Sequence, residues 1–313
     1  MKIEIQNGLR VEINEKNKTA TIIKSPKATG NVFIPRDIDY KGEKYIIISI
    51  DSYAFTNNSI NLLSFPEDSK IQTFKPCTFL YSSIQKLQIP RNLSELEDEW
   101  ATGIKGLNEI EVSPKNNKFV YQDNKYLLGK SDQDSDKYDI LHYVLYDIVK
   151  AEIPSQVKII KTYSLKDHPN LKEIIFPDNS ELEIIEDFSI CLTPLQKLIL
   201  PASLHTICSH ALTPLCDLVD IQVSLKNKLF SVIDNKYLVK KGDENNSVYD
   251  FLLFARRDIE SILIPSQIKE ISVGAIQYCN KMKSISFELA ENLELKIILY
   301  WNTIMLKVFL IEN

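Results

Sequence analysis

The chain has 313 residues, of which 44% are hydrophobic and 25% charged, an ordinary balance for a folded protein. A net charge of −5 and a pI near 5.6 exclude the basic footprint of a DNA- or RNA-binding protein. Only 8 residues are glycine, too few for phosphate-cradling loops or flexible linkers, and the five cysteines, with no CxxC pair, read as small buried apolar side chains rather than a disulfide framework.

The first residues, Met1 to Gly8, carry charges where a secretory signal needs an unbroken apolar run, so no such signal is expected. Gly8 to Ile23 alternates apolar and polar residues around Asn14 to Lys18, which predicts a β-hairpin. Residues 1–30 are therefore assigned to an N-terminal hairpin cap over the open edge of the first repeat.

From residue 31 to 290 the chain is expected to repeat about nine times. The clearest copies are Ile84 to Pro90 (IQKLQIP), Leu171 to Pro177 (LKEIIFP) and Leu195 to Pro201 (LQKLILP). Their prolines, with Pro66 and Pro154 and with Ser113 and Ser224 in the same slot, fall 23 or 24 residues apart where neighbours are uninterrupted. In an extended segment alternate side chains share a face, so Ile174 and Phe176 should point inward and Glu173 and Ile175 outward. The proline has no N–H to give and ends the strand. A second apolar signature comes next, such as Leu182 to Phe188 or Ile268 to Ala275, and should carry the chain back across the opposite side. One unit buries too few large side chains to offset its own ordering entropy; stacking units supplies the missing burial.

A longer period of 111 residues lies over the short one: Asn124 to Leu127 returns as Asn235 to Leu238, and Ile153 to Gln156 as Ile264 to Gln267. It contains an insertion. After Val112 and again after Val223, two apolar runs flank a polar turn, Lys130 to Asp136 or Lys241 to Ser247, which predicts a β-hairpin projecting from the stack. Residues 291–313 read as a degenerate last repeat or hydrophobic cap. The run Leu295 to Ile311 is interrupted by Lys296, Asn302 and Lys307 and falls short of the roughly 20 residues of a membrane span.

The repeated motif resembles the BspA-like leucine-rich-repeat family, whose unit runs Leu-x-x-Ile-x-Leu-Pro, a variable stretch, Leu-x-x-Ile and a small–aromatic pair such as Ala54–Phe55. Asn31 to Phe55 is similar to that family's opening repeat, and Asp234 to Leu238 to an insertion typical of it; the pair is degraded at Ser164–Leu165, Ala211–Leu212 and Ala275–Ile276. The resemblance covers roughly residues 8–290. It implies an α/β leucine-rich-repeat solenoid, right-handed and β-rich overall, with a parallel β-sheet on one face and short strands, turns and helical pieces on the other, plus inserted β-hairpins. It also implies protein binding, often at the surface of bacteria or parasitic protists, where host or matrix proteins are engaged.

Stacked strands would present two outward columns. The first holds Lys86, Glu109, Lys150, Glu173, Lys197 and Asp220; the second holds Ser64, Gln88, Glu111, Glu152, Ile175, Ile199 and Gln222, continuing to Leu263 and Ser286. The candidate protein-binding face is Lys86, Gln88, Glu109, Glu111, Glu173, Ile175, Lys197, Ile199, Asp220 and Gln222. Alternating signs predict partial ion pairing rather than an anion site. Ile175 and Ile199 stand out as successive apolar residues on an outward column.

Reactive chemistry is sparse. His205, Cys208, His210 and Cys216 crowd a dozen residues, but their repeat positions are ordinary and do not form a zinc tetrahedron. Asp132 to Asp136 opens like a calcium loop, yet Lys137 and Tyr143 occupy the positions of the required Gly and Glu. GxxxxGK, GxGxxG, HExxH and GxSxG do not occur. Sequons stand at Asn17, Asn57, Asn92 and Asn245. The expectation is a non-enzymatic protein-binding protein without cofactor, metal, nucleic acid or small-molecule substrate. Its partner would be a host or matrix protein at the cell surface, or, in the alternative, an intracellular partner of a cytoplasmic scaffold.

Overall fold

The computed structural model describes residues 1–288, and the backbone alone of the strands Lys296–Ile297 and Lys307–Ile311. The chain divides into two compact units: one comprises Met1–Ile148 with Lys161–Asp167, the other Val149–Ile160 with His168–Asn313.

In the first unit, four short strands stack in parallel: Gly30–Phe33, Ile60–Ser64, Lys86–Ile89 and Glu109–Val112. Each is four or five residues long. Leu63, Leu87 and Ile89 are at most 1% exposed, because the side-chain alternation turns one face of every strand to the core. A second parallel ladder lies across the core, joining Glu43–Ile50 to Thr73–Phe74 and on to Glu95–Leu96. At its start, the antiparallel hairpin of Arg10–Asn14 and Thr19–Ile23 pairs in parallel with Glu43–Ile50, and Lys2–Glu4 closes the outer side. Aromatic rings fill the interior. Phe55 stacks on Phe79 at 5.7 Å, Phe74 and Trp100 meet Phe79 edge-on, and Trp100 reaches Tyr143 at 5.8 Å.

The expected α/β class with helical pieces is corrected: among the described residues helix is confined to one 3-10 turn, Gln6–Gly8. The return segments show why. Tyr53 and Asn57 both have positive φ, as do Cys77 and Tyr81, and Glu99 and Gly103, each pair four residues apart. A left-handed residue every fourth position breaks the right-handed coil. The N–H groups then alternate. Ala54 and Thr56 bond three residues back, to Asp51 and Tyr53, whereas Phe55 and Asn57 donate to Thr78 and Leu80 of the next turn. A helix would keep all these bonds inside the segment; here half of them tie successive turns together.

The insertions also differ from the projecting hairpin expected. Each is a three-stranded antiparallel meander: Phe119–Gln122, Tyr126–Gly129 and Ile140–Val144 in the first unit, and Phe230–Ile233, Tyr237–Lys240 and Phe251–Ala255 in the second. The apolar run breaks in two at Asp123–Asn124 and at Asp234–Asn235, where both residues have φ near +50°. That is the conformation of a type I′ hairpin turn, which Asp and Asn tolerate. The last strand does not project. Phe251–Ala255 pairs in parallel with Glu270–Ile271, and Leu252 and Phe254 are buried in the core.

In the second unit, Lys150–Glu152, Glu173–Ile175, Lys197–Leu200 and Asp220–Val223 form the main parallel ladder, opposite the short ladder Ile159–Ile160, Ile184–Ile185 and Thr206–Ile207. Beyond the meander, Ser261–Ile264 pairs with Ser284–Glu288, and this strand with Lys307–Ile311. Ile174, Leu198 and Ile221 are buried as the pattern requires; Phe176, expected inside, is only half-buried. Most of the run from Leu295 to Ile311 lies outside the described residues, among which no helix is long and apolar enough to cross a membrane.

Candidate protein-binding face

The candidate residues fall on the outward faces of the two main ladders, four in the first unit and six in the second. In the first unit the register sets Lys86 beside Glu109 and Gln88 beside Glu111. Parallel pairing brings like positions side by side, so opposite charges meet directly. Lys86 Nζ lies 2.6 Å from Glu109 and 3.5 Å from Glu111, and its pKa is raised, first by the hydrogen bond to Glu109. Gln88 is tied at both ends: its Oε1 accepts from the Phe65 N–H at 3.1 Å, and its Nε2 donates to Glu111 at 3.3 Å. This part of the face is internally satisfied.

The second unit is different. Lys150, Glu173, Lys197 and Asp220 form one column by register, and Lys197 lies 3.7 Å from Asp220. The neighbouring column runs Glu152, Ile175, Ile199, Gln222. Gln222 donates to Asp220 at 2.9 Å. Ile175 is half-buried and Ile199 is 40% exposed, so two successive apolar side chains break a surface on which Lys197 pairs with Asp220, Gln222 donates to Asp220 and Lys150 pairs with Glu152. The same unit carries a cavity of about 390 Å³ where Asp220–Val223 meets the meander, lined by Gln222, Ser224, Leu225, Ser231, Asn235 and Tyr249. The repeat pattern showed the first wall of this cavity; the second depends on where the meander turns, which only the three-dimensional path reveals.

The other sequence candidates do not converge. His210 stacks on Phe188 at 4.8 Å, with its N–H bonded to Asp187, while His205 faces Glu183 and Thr206. Among the described residues no group of three or more His, Cys, Asp and Glu side chains could hold a metal ion. In the polar turn after Gly129, Asp132 caps the Asp134 N–H and Asp139 accepts from Ser131, so two of the carboxylates serve the turn's own backbone and side chains. The Cys77 thiol is pushed up to about 11 by burial and by the Glu99 carboxylate to which it donates; burial likewise raises Cys208 and Cys279. None of these three is a poised thiolate.

Short parallel strands ended by proline, a narrow second ladder, and an outward sheet surface without convergent reactive groups define a leucine-rich-repeat protein of the β-solenoid kind. The sequence agrees with that class: the BspA-type leucine-rich-repeat region matches in six copies over residues 43–123, 141–239 and 223–303. The chain belongs to this BspA-type leucine-rich-repeat family.

Solved structures agree on the fold. A leucine-rich cell surface protein from Faecalibacterium prausnitzii aligns over 92% of this chain and 70% of its own, at 17% identity and a TM-score of 0.50. The pneumococcal vaccine antigen PcpA aligns over all of this chain and 70% of its own, at 17% identity and a TM-score of 0.52. A leucine-rich-repeat protein from Eubacterium ventriosum covers 92% and 87% respectively, at 14% identity and a TM-score of 0.50. No curated protein matches the sequence.

Proposed function

We propose that the chain is a non-enzymatic binding protein, a surface-associated antigen or adhesin-like module that recognises a host or matrix protein through the outward face of the second unit. The observation that carries this reading is the Ile175–Ile199 pair, apolar and outward, beside the mutually engaged Lys197, Asp220 and Gln222. Such a surface loses little on desolvation and gains from apolar contact. The names of two structural relatives, a cell surface protein and a vaccine antigen, support the surface setting. The buried, protonated thiols and the dispersed histidines support a non-catalytic role.

A second reading, an intracellular scaffold using the same face, is favoured by five cysteines that form no disulfide. Surface labelling of intact cells separates the two, because a cytosolic scaffold escapes the label. The face itself is tested with the double variant Ile175→Ser, Ile199→Ser, used beside the parent protein as bait for host-cell lysate and for the source organism's own lysate. Loss of the captured protein from a variant that remains folded and unfolds cooperatively supports the reading. Unchanged capture removes both residues from it.

A further inference from the structure

We propose that the cavity between Asp220–Val223 and the second meander binds a neutral saccharide unit, a ligand held there and not converted. Its volume, about 390 Å³, lies within the range of small-ligand sites, roughly 300 to 1,000 Å³. Among the described residues that line it there is no carboxylate, ammonium, guanidinium or imidazole. The side chains that offer polar groups are neutral: the amides of Gln222 and Asn235 and the hydroxyls of Ser224, Ser231 and Tyr249. The Gln222 amide donates to Asp220 at 2.9 Å, which leaves its Oε1 without a protein partner. The side chains of Ser231 and Asn235 and the Tyr249 hydroxyl make no hydrogen bond with other described residues. Charges close by are engaged elsewhere: Asp220 with Lys197 at 3.7 Å, and Lys241 over the Tyr249 ring at 5.0 Å.

The first copy of the 111-residue period is built differently at this position. Val232 corresponds to Tyr121, which is half-buried with its hydroxyl enclosed. Gln222 corresponds to Glu111, whose carboxylate lies 3.5 Å from Lys86, and Ser231 corresponds to Val120. Relative to the first copy, the second lacks a ring, lacks a charge and has an added hydroxyl, all three at the cavity wall. Packing by itself disfavours such a change, because a void forfeits contacts. All three differences suit a neutral ligand that hydrogen-bonds on several sides. A sugar hydroxyl both donates and accepts, and so do the amides and hydroxyls of this wall. They belong to side chains rather than to a bare strand edge, which favours a saccharide over an extended peptide. A charged ligand would lose its hydration here and meet no counter-charge.

The full chain is tested by saturation-transfer NMR and calorimetry against free oligosaccharides of glucose, galactose, mannose, fucose, N-acetylglucosamine and N-acetylgalactosamine. Sialylated oligosaccharides and a library of extended peptides run beside them. The expected result is that at least one neutral oligosaccharide binds with a Kd of about 1 mM or tighter. Val232→Tyr and Ser231→Val each copy the residue of the first period, and each should weaken that binding about tenfold or more. Such a loss in either variant, with the fold retained, supports the proposal. Three results overturn it: no neutral oligosaccharide bound, binding that survives both variants, or a preference for the sialylated sugars or the peptides. Ile175 and Ile199 do not line the cavity, so protein capture through that pair and sugar binding here fail or succeed separately.

Discussion

Asn116 and Asn227, 111 residues apart, make the same four hydrogen bonds. The Nδ2 of Asn116 donates to the carbonyls of Pro90 and Leu93, and its Oδ1 accepts from the N–H groups of Lys118 and Phe119. Asn227 does the same with Pro201, Leu204, Leu229 and Phe230. Each side chain fastens the start of a meander to the turn before it. Both are buried, and a buried amide is stable only when satisfied in this way.

Asn227→Ala leaves four buried backbone groups without partners, so it should destabilise the second unit by about 3 kcal/mol or more. Urea unfolding followed by circular dichroism measures the loss. A change below about 1 kcal/mol would mean that these bonds are not the fastening described.

Leu192 is half exposed with φ +57°, a conformation that crowds its Cβ against the backbone. Leu192→Asn should therefore stabilise the protein, by about 0.5 to 1 kcal/mol. Gly274→Ala should do the reverse and lower the melting temperature, because φ is +79° and an added Cβ would clash with the Thr213 side chain. Thermal melts of the two variants should move in opposite directions.

His142 supplies a pH dependence. Its ring meets Phe119 edge-on at 5.2 Å and its Nε2 is buried without an acceptor; burial, then the nearby Lys161 and Lys118, lower its pKa to about 3. The folded state thus holds this proton more weakly than the unfolded chain. The contribution is complete above the unfolded value of about 6.5 and is lost as pH falls from there toward 3, at up to about 1.4 kcal/mol per pH unit. His142→Leu, which copies Leu253 one long period on, should flatten the stability profile between pH 6.5 and 4. An unaltered slope would assign the acid sensitivity to other groups.

Adjacent residues of one strand should behave oppositely. Ile174 is 1% exposed and Ile175 only half-buried. Ile174→Ala should cost about 2 to 5 kcal/mol through cavity formation, whereas Ile175→Ser should cost about 1 kcal/mol or less. Paired denaturant curves decide it; equal losses would place Ile175 inside the core rather than on the face offered to a partner.

The order of parts was legible because a repeat writes its geometry many times. Pro66, Pro90, Pro177 and Pro201 mark strand ends, and the alternation around Leu87, Ile174 and Leu198 marks the buried side, since a missing N–H and a two-residue period are local properties. The outward columns came from the same period: Lys86 stands against Glu109, and Lys197 against Asp220.

The path of the return segments was not local. Tyr53 and Cys77 share a left-handed backbone although neither favours it, and with it the N–H groups of Phe55 and Phe79, two residues on, reach the carbonyls of Thr78 and Trp100 in the next turn. The same holds for the meander, whose last strand is held by Glu270–Ile271 rather than by its own turn, and for Gln88, polar and outward by pattern yet consumed by the Phe65 N–H. Sequence by itself determined where strands begin and end and which of their sides are apolar, through properties each residue carries alone. Tertiary structure decided which backbone groups had partners left to give, because hydrogen bonds between turns depend on segments that come together only when the stack forms.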